Sequence, residues 1–177
     1  MRIGFTGTVS VGKTTLVKEL SKLDQFKNHY CVTERSKYLN ELGIPLNTDS
    51  TLNGQIIFMA ERAAELIRPD LITDRTIIDV MAFTDSAQSI NYLEKDRLIE
   101  MGKTLIHQYD HIFYVSPEGV GIENNGVRET DKKYRILIDN KITKYLSDYS
   151  HLIKKCHYMP PNLSTEDRIK FIISTIL

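Results

Sequence analysis

Gly7-Thr8-Val9-Ser10-Val11-Gly12-Lys13-Thr14 is the stretch from which the fold can be read. It fits G-x-x-x-x-G-K-[ST] at every fixed position. It joins a short apolar run, Arg2-Ile3-Gly4-Phe5-Thr6, to a segment in which Leu16, Leu20 and Leu23 recur at helical spacing. Strand, glycine-bearing turn and helix in that order make a cradle for a phosphate. The glycines let the backbone wrap an anion with its N–H groups, and the helix start adds partial positive charge. Lys13 suits the β- and γ-phosphate oxygens and Thr14 suits Mg²⁺. Gly7, Val9, Ser10, Val11, Gly12 and Thr15 complete the expected nucleotide lining. A plain strand-to-helix turn would require neither the lysine nor the hydroxyl.

Around this stretch lie 177 residues, 41% hydrophobic and 26% charged, with 23 basic side chains against 23 acidic. That composition excludes disorder and fibrous repeats and suits a single domain over 1–177 with a full core. Zero net charge supplies no global field for a polyanion, so phosphate binding must be local. Cys31 and Cys156 stand far apart in no metal-binding pattern, which fits a reducing, cytoplasmic home. Ile3 to Gly12 is uncharged, but its three glycines and the adjoining Lys13 disqualify it as a secretory signal. No apolar run approaches the roughly 20 residues of a membrane span.

Beyond the first helix, Tyr30-Cys31-Val32-Thr33 reads as a second strand, Leu71-Ile72-Thr73 as a third and His111 to Val115 as a fourth, with a short fifth within Leu152 to Met159. Helical patterns separate them: one to about Leu42, Thr51 to Arg68, Ile77 to Ala87, Lys95 to Tyr109, one through Tyr134, Ile138, Ile142 and Tyr145, and a closing helix capped by Ser164. The expected fold is α/β, a parallel sheet of about five strands with helices on both faces, whose ligands lie beyond the carboxyl ends of the strands. Glu118 to Asp131 holds three glycines and no periodicity, and 118–135 is expected to be a short lid within the domain.

From Arg2 to about Leu146 the chain resembles the P-loop kinases of nucleosides and nucleotides, especially deoxynucleoside kinases and the ribosylnicotinamide kinase domain, including small phage-type relatives known only as ATPases. The P-loop is common to all P-loop NTPases. The narrower resemblance rests on the order of Thr33-Glu34-Arg35-Ser36, Gln55 with Glu61-Arg62, Asp74-Arg75-Thr76-Ile77-Ile78-Asp79, and Gly126-Val127-Arg128 with Arg135. It implies an enzyme that uses ATP and Mg²⁺.

On that footing Glu34, just after the second strand, is the expected base for an acceptor hydroxyl. Thr14 and Asp74 are the expected metal residues, and Lys13, Arg75, Arg128 and Arg135 complete the catalytic set, the last two as lid arginines. Glu34, Arg35, Gln55, Arg62, Arg75 and Asp79 are the substrate-binding candidates; Gln55 and Arg62, seven residues apart, share one helical face. Asp79 can equally cap the next helix, and Tyr38, Phe58 and Phe83 can stack on a planar ring or serve as core. The expected activity is transfer of the γ-phosphoryl group to a nucleoside, nucleotide or ribosylnicotinamide. The alternatives are a P-loop kinase acting on nucleic acid, at a 5′-hydroxyl or a hydroxymethylated base, and an NTPase switch module. The expected partner is a small nucleoside-type acceptor rather than a membrane; a homo-oligomer stays open.

Overall fold

The computed structural model describes residues 1–33, 36–121 and 131–177, the side chain of Lys37 excepted. Its five strands are β1 (Arg2–Thr6), β2 (Tyr30–Val32), β3 (Leu71–Asp74), β4 (His111–Val115) and β5 (Cys156–Met159). Seven helices run among the described residues: α1 (Lys13–Leu20), α2 (Ser36–Glu41), α3 (Leu52–Glu65), α4 (Ile77–Ser86), α5 (Tyr92–Ile106), α6 (Lys132–Asp148) and α7 (Thr165–Ile176). The strands form one sheet in the order β2-β3-β1-β4-β5, and every pairing is parallel. The expected α/β architecture is the one observed.

Alternation along the central strands divides the core in two. Ile3, Phe5, Ile72, Phe113 and Val115 pack with Leu16, Leu20 of α1 and Ile172 of α7 on one face. Leu71, Ile112 and Tyr114 pack on the other with Met59 of α3, Met81 of α4, Ile106 of α5 and Ile138 of α6. Both faces of the inner strands are therefore dry, as a parallel sheet requires.

Several helix ends follow from local chemistry. Asn91 and Glu94 form a reciprocal capping box, so α5 starts at Tyr92, three residues before the start expected from apolar spacing. Thr51 caps α3 by accepting from the Gly54 N–H, and Ser164 caps α7 by accepting from the Asp167 N–H. α3 ends at Glu65, short of the expected Arg68, and Pro69 follows. Both cysteines are free. Among the described residues no helix is long and apolar enough to cross a membrane.

Gly4 permits the closest approach in the sheet. A Cβ there would lie 2.5 Å from Thr76 Cγ2 and 3.0 Å from the Tyr109 ring, both buried. Gly4→Ala is expected to lose about 1–3 kcal/mol of stability by overpacking this point; urea unfolding of the variant measures it, and a wild-type midpoint would show that α4 can shift without cost.

Candidate active site

β1 runs into the phosphate loop, and the loop's shape depends on unusual backbone angles. Gly7 (φ 149°), Ser10 (φ 61°) and Gly12 (φ 92°) all have positive φ. At Gly7 a Cβ would stand 2.5 Å from the Val115 carbonyl oxygen, a backbone atom, so only glycine fits where the loop leaves the sheet. Gly12 precedes α1 as its N-cap, leaving first-turn N–H groups without intrahelical acceptors. Lys13 is 5% exposed, and its Nζ donates to the carbonyl oxygens of Gly7 (2.6 Å) and Thr8 (2.8 Å). The ammonium thus lies across the loop.

β3 is hydrogen-bonded beside β1 and brings Asp74 opposite Phe5. The Thr14 hydroxyl donates to Asp74 Oδ2, while Asp74 Oδ1 is buried with no hydrogen-bond partner among the described residues. A hydroxyl and a carboxylate with an unsatisfied oxygen, on the phosphate loop's own helix and the neighbouring strand, are the hard oxygen donors that Mg²⁺ takes alongside phosphate and water. These residues fit such an ion.

Arg75 follows with φ 84°, its N–H donating to the Phe5 carbonyl at 3.0 Å. Its guanidinium stacks on the Phe83 ring, 4.8 Å from the centroid, and lies 3.8 Å from Asp79 Oδ1. Arg75 borders two spaces. One is a cleft along Val9 to Thr15, which also takes in Asp74, Val120, Leu163 and Arg168. The other is a narrower cavity lined by Asn47, Gln55, Phe58, Arg75 and Phe83. The cleft along the glycine-bearing loop therefore opens beside a cavity lined by two phenylalanine rings and by the amides of Asn47 and Gln55.

The remaining sequence candidates separate. Gln55 lines the cavity, and its Oε1 accepts from the Thr84 hydroxyl at 3.3 Å. Arg62 shares the buried face of α3 with Gln55, as the seven-residue spacing predicts, but is not among the residues lining the cavity. It is 3% exposed and turns under β3, where Nη1 donates to Thr73 Oγ1 (3.3 Å) and to the carbonyls of Asp74 (3.1 Å) and Arg75 (3.4 Å), and Nη2 pairs with Glu65 Oε1 at 2.5 Å. It supports the backbone that presents Asp74 and Arg75. Asp79 is fully buried: Oδ2 accepts from the Thr76 N–H (2.8 Å) and hydroxyl (3.1 Å), and Oδ1 accepts from the Gly7 N–H at 3.2 Å. Of its two sequence readings, the helix-capping role is the one this geometry displays. Tyr38 is exposed, whereas Phe58 and Phe83 line the cavity.

Arg135, on the first turn of α6, donates through Nη1 to the Val120 carbonyl at 2.6 Å, while Nε and Nη2 are buried without a partner among the described residues. Burial lowers its pKa. Nearby, burial raises the pKa of Asp139, opposed by a hydrogen bond from the Tyr114 hydroxyl and by the charges of Arg135 and Lys13. Glu34, Arg35 and Arg128 lie outside the described residues, as does half of the expected 118–135 lid, residues 122–130.

Leu163, Thr165 and Arg168 line the cleft and escaped the sequence reading, as did Ser164 in any role beyond its helix cap; Val120 falls within the expected lid segment. The only sequence signal for Arg168 is its place one turn after the Ser164 cap.

A family described as an AAA domain matches residues 2–159 of the chain. Among solved structures, the deoxyadenosine kinase from M. mycoides with dCMP and dCDP bound superimposes with a TM-score of 0.64 at 14% identity, over 99% of this chain and 98% of that one. The thymidylate kinase from Ehrlichia chaffeensis gives 0.66 at 16% identity, over 100% and 98%. The NadR protein in complex with NR gives 0.70 at 17% identity, over 98% of this chain and 50% of that one. At these identities the likeness is one of fold. No curated protein matches by sequence.

Asp79→Asn puts an amide where two N–H groups and a hydroxyl now find a carboxylate. It is expected to cost about 2–4 kcal/mol of stability, because buried donors lose a charged acceptor. Thermal unfolding checks it; a variant of wild-type stability with only a raised acceptor KM would return Asp79 to the substrate set.

Proposed function

The chain belongs to the AAA-domain family, and from that membership and the geometry of its cleft we propose that it is an ATP- and Mg²⁺-dependent kinase. Its acceptor is a nucleoside, a nucleotide or ribosylnicotinamide. The observation that carries this reading is Arg75, which borders both the phosphate cleft and the cavity lined by Gln55, Phe58 and Phe83. A module that only hydrolyses a nucleotide has no need of a second, ring-lined cavity at the γ-phosphate end. The names of the structural neighbours favour the same class: they act on deoxyadenosine or thymidylate, or bind NR.

In this reading the N–H groups of the phosphate loop and Lys13 hold the β- and γ-phosphates, Lys13 leaving the carbonyls of Gly7 and Thr8 to do so. Thr14 and Asp74 hold Mg²⁺, which neutralises charge on the phosphates when bound. Gln55 offers a donor and an acceptor to a base or carboxamide, and Phe58 and Phe83 flank its ring. Arg75 sits at the junction to meet the transferring group. A nucleotide acceptor attacks the γ-phosphorus through a phosphate oxygen, and a nucleoside or ribosylnicotinamide acceptor through its hydroxyl oxygen, as the bond to the β–γ bridging oxygen breaks; for the hydroxyl acceptor a base is needed. The hydroxyl proton passes to the carboxylate of Glu34, which follows β2 by two residues in the sequence, and ADP departs. Arg128 and Arg135 bring positive charge to the transition state from a lid over 118–135.

The test is a transfer assay with γ-labelled ATP and Mg²⁺ against nucleosides, nucleoside monophosphates, nicotinamide riboside and DNA. Label is expected in one small-molecule class. Lys13→Ala should reduce transfer by about 100-fold or more, and Glu34→Gln should lower kcat by roughly 100-fold while ATP still binds. Label entering DNA with steep salt dependence would support the nucleic-acid kinase instead. Phosphate release with no acceptor labelled would overturn transfer.

A further inference from the structure

Arg168 lies outside the matched segment 2–159, on the last helix, yet its guanidinium reaches the phosphate loop. Nη1 donates to the Val11 carbonyl oxygen at 2.8 Å, and the same atom would be 3.4 Å from a Cβ at Gly12. The guanidinium thus packs directly on the Val11–Gly12 peptide. Nε is buried with no partner among the described residues, and burial lowers the group's pKa. α7 itself is anchored: Ile172 is fully buried, and Phe171 meets Phe113 edge-on at 6.3 Å.

We infer that Arg168 is a positioning residue for nucleotide binding, one that sets the direction of the Gly12 N–H. The described chain has no cis peptide, and across a trans peptide the carbonyl and the following N–H point in opposite directions. By fixing the Val11 carbonyl toward α7, Arg168 fixes the Gly12 N–H away from it, as a donor of the cradle that opens α1. The loop needs such a brace. Ser10 holds a positive φ that costs a residue with a Cβ on the order of 1–2 kcal/mol, and Gly12 has no side chain to resist rotation of its peptide. Releasing the carbonyl lets this peptide turn, and ordering it again is then charged against phosphate binding. The C-terminal helix accordingly belongs to the phosphate site.

This inference rests on reading the loop as a phosphate site, and the test separates the two. Wild-type protein, Arg168→Met and Arg168→Lys are titrated calorimetrically with ATP, ADP and inorganic tripolyphosphate in the presence of Mg²⁺, with circular dichroism recorded for each. Methionine keeps most of the apolar stem and removes the donor; lysine keeps one donor. Arg168→Met is expected to weaken all three ligands by a similar factor, about 10-fold or more, the scale of a charge-assisted hydrogen bond. Arg168→Lys is expected to recover part of that loss. Wild-type affinity in both variants would overturn the inference while leaving the phosphate site standing. So would a loss confined to ATP and ADP with tripolyphosphate unaffected, because Arg168 would then be contacting the base. Wild-type protein that binds none of the three would overturn the phosphate-site reading together with this one.

Discussion

A single buried carboxylate holds the site together. Asp79 accepts from the Gly7 N–H with one oxygen and from Thr76 with the other, so the start of the phosphate loop and the start of α4 are tied to the same group. The strands beneath them are already locked side by side in parallel register, Phe5 opposite Asp74. Asp79 extends that registration past the carboxyl ends of β1 and β3, beyond the Arg75 N–H to Phe5 carbonyl bond. Its burial gives the tie force, since a charged acceptor cut off from water must keep its donors.

Two consequences follow for the chemistry. Asp74 ends β3 and Arg75 opens the short turn to α4, with Arg62 hydrogen-bonded from below to the carbonyls of both. The turn therefore cannot drift relative to the loop, and Arg75 stays at the mouth between the phosphate cleft and the ring-lined cavity. The loop itself rests with its lysine against its own carbonyls and its threonine against Asp74. In the proposed function these are the internal contacts that phosphate and Mg²⁺ would replace.

What the sequence made legible was whatever local spacing encodes. The glycines, lysine and threonine of the loop sit at a fixed separation because one turn and one helix start need them there, and the three inner strands, β1, β3 and β4, stand out as apolar runs buried on both faces. Arg62 shows the limit. Its spacing from Gln55 placed both on one helical face, but the three backbone and hydroxyl oxygens that draw it under β3 belong to residues 11 to 13 positions away and leave no periodic trace. Asp79 carried a capping pattern in its sequence, whereas its bond to Gly7, 72 residues distant, did not. Arg168 was invisible for the same reason, being 157 residues from the carbonyl it holds.

In the proposed function, cleft and cavity form one donor–acceptor site with Arg75 at the junction. The most direct measurement is the affinity of dinucleoside polyphosphates, which link a donor nucleotide to a nucleoside through a chain of phosphates, against that of ATP alone. Joining two ligands that occupy adjacent sites turns the second binding event into an intramolecular one, so the best linked compound should bind about 100-fold more tightly than ATP. Arg75→Ala should remove most of that gain. Linked compounds that bind no better than ATP at any phosphate length would show that the two spaces do not act together.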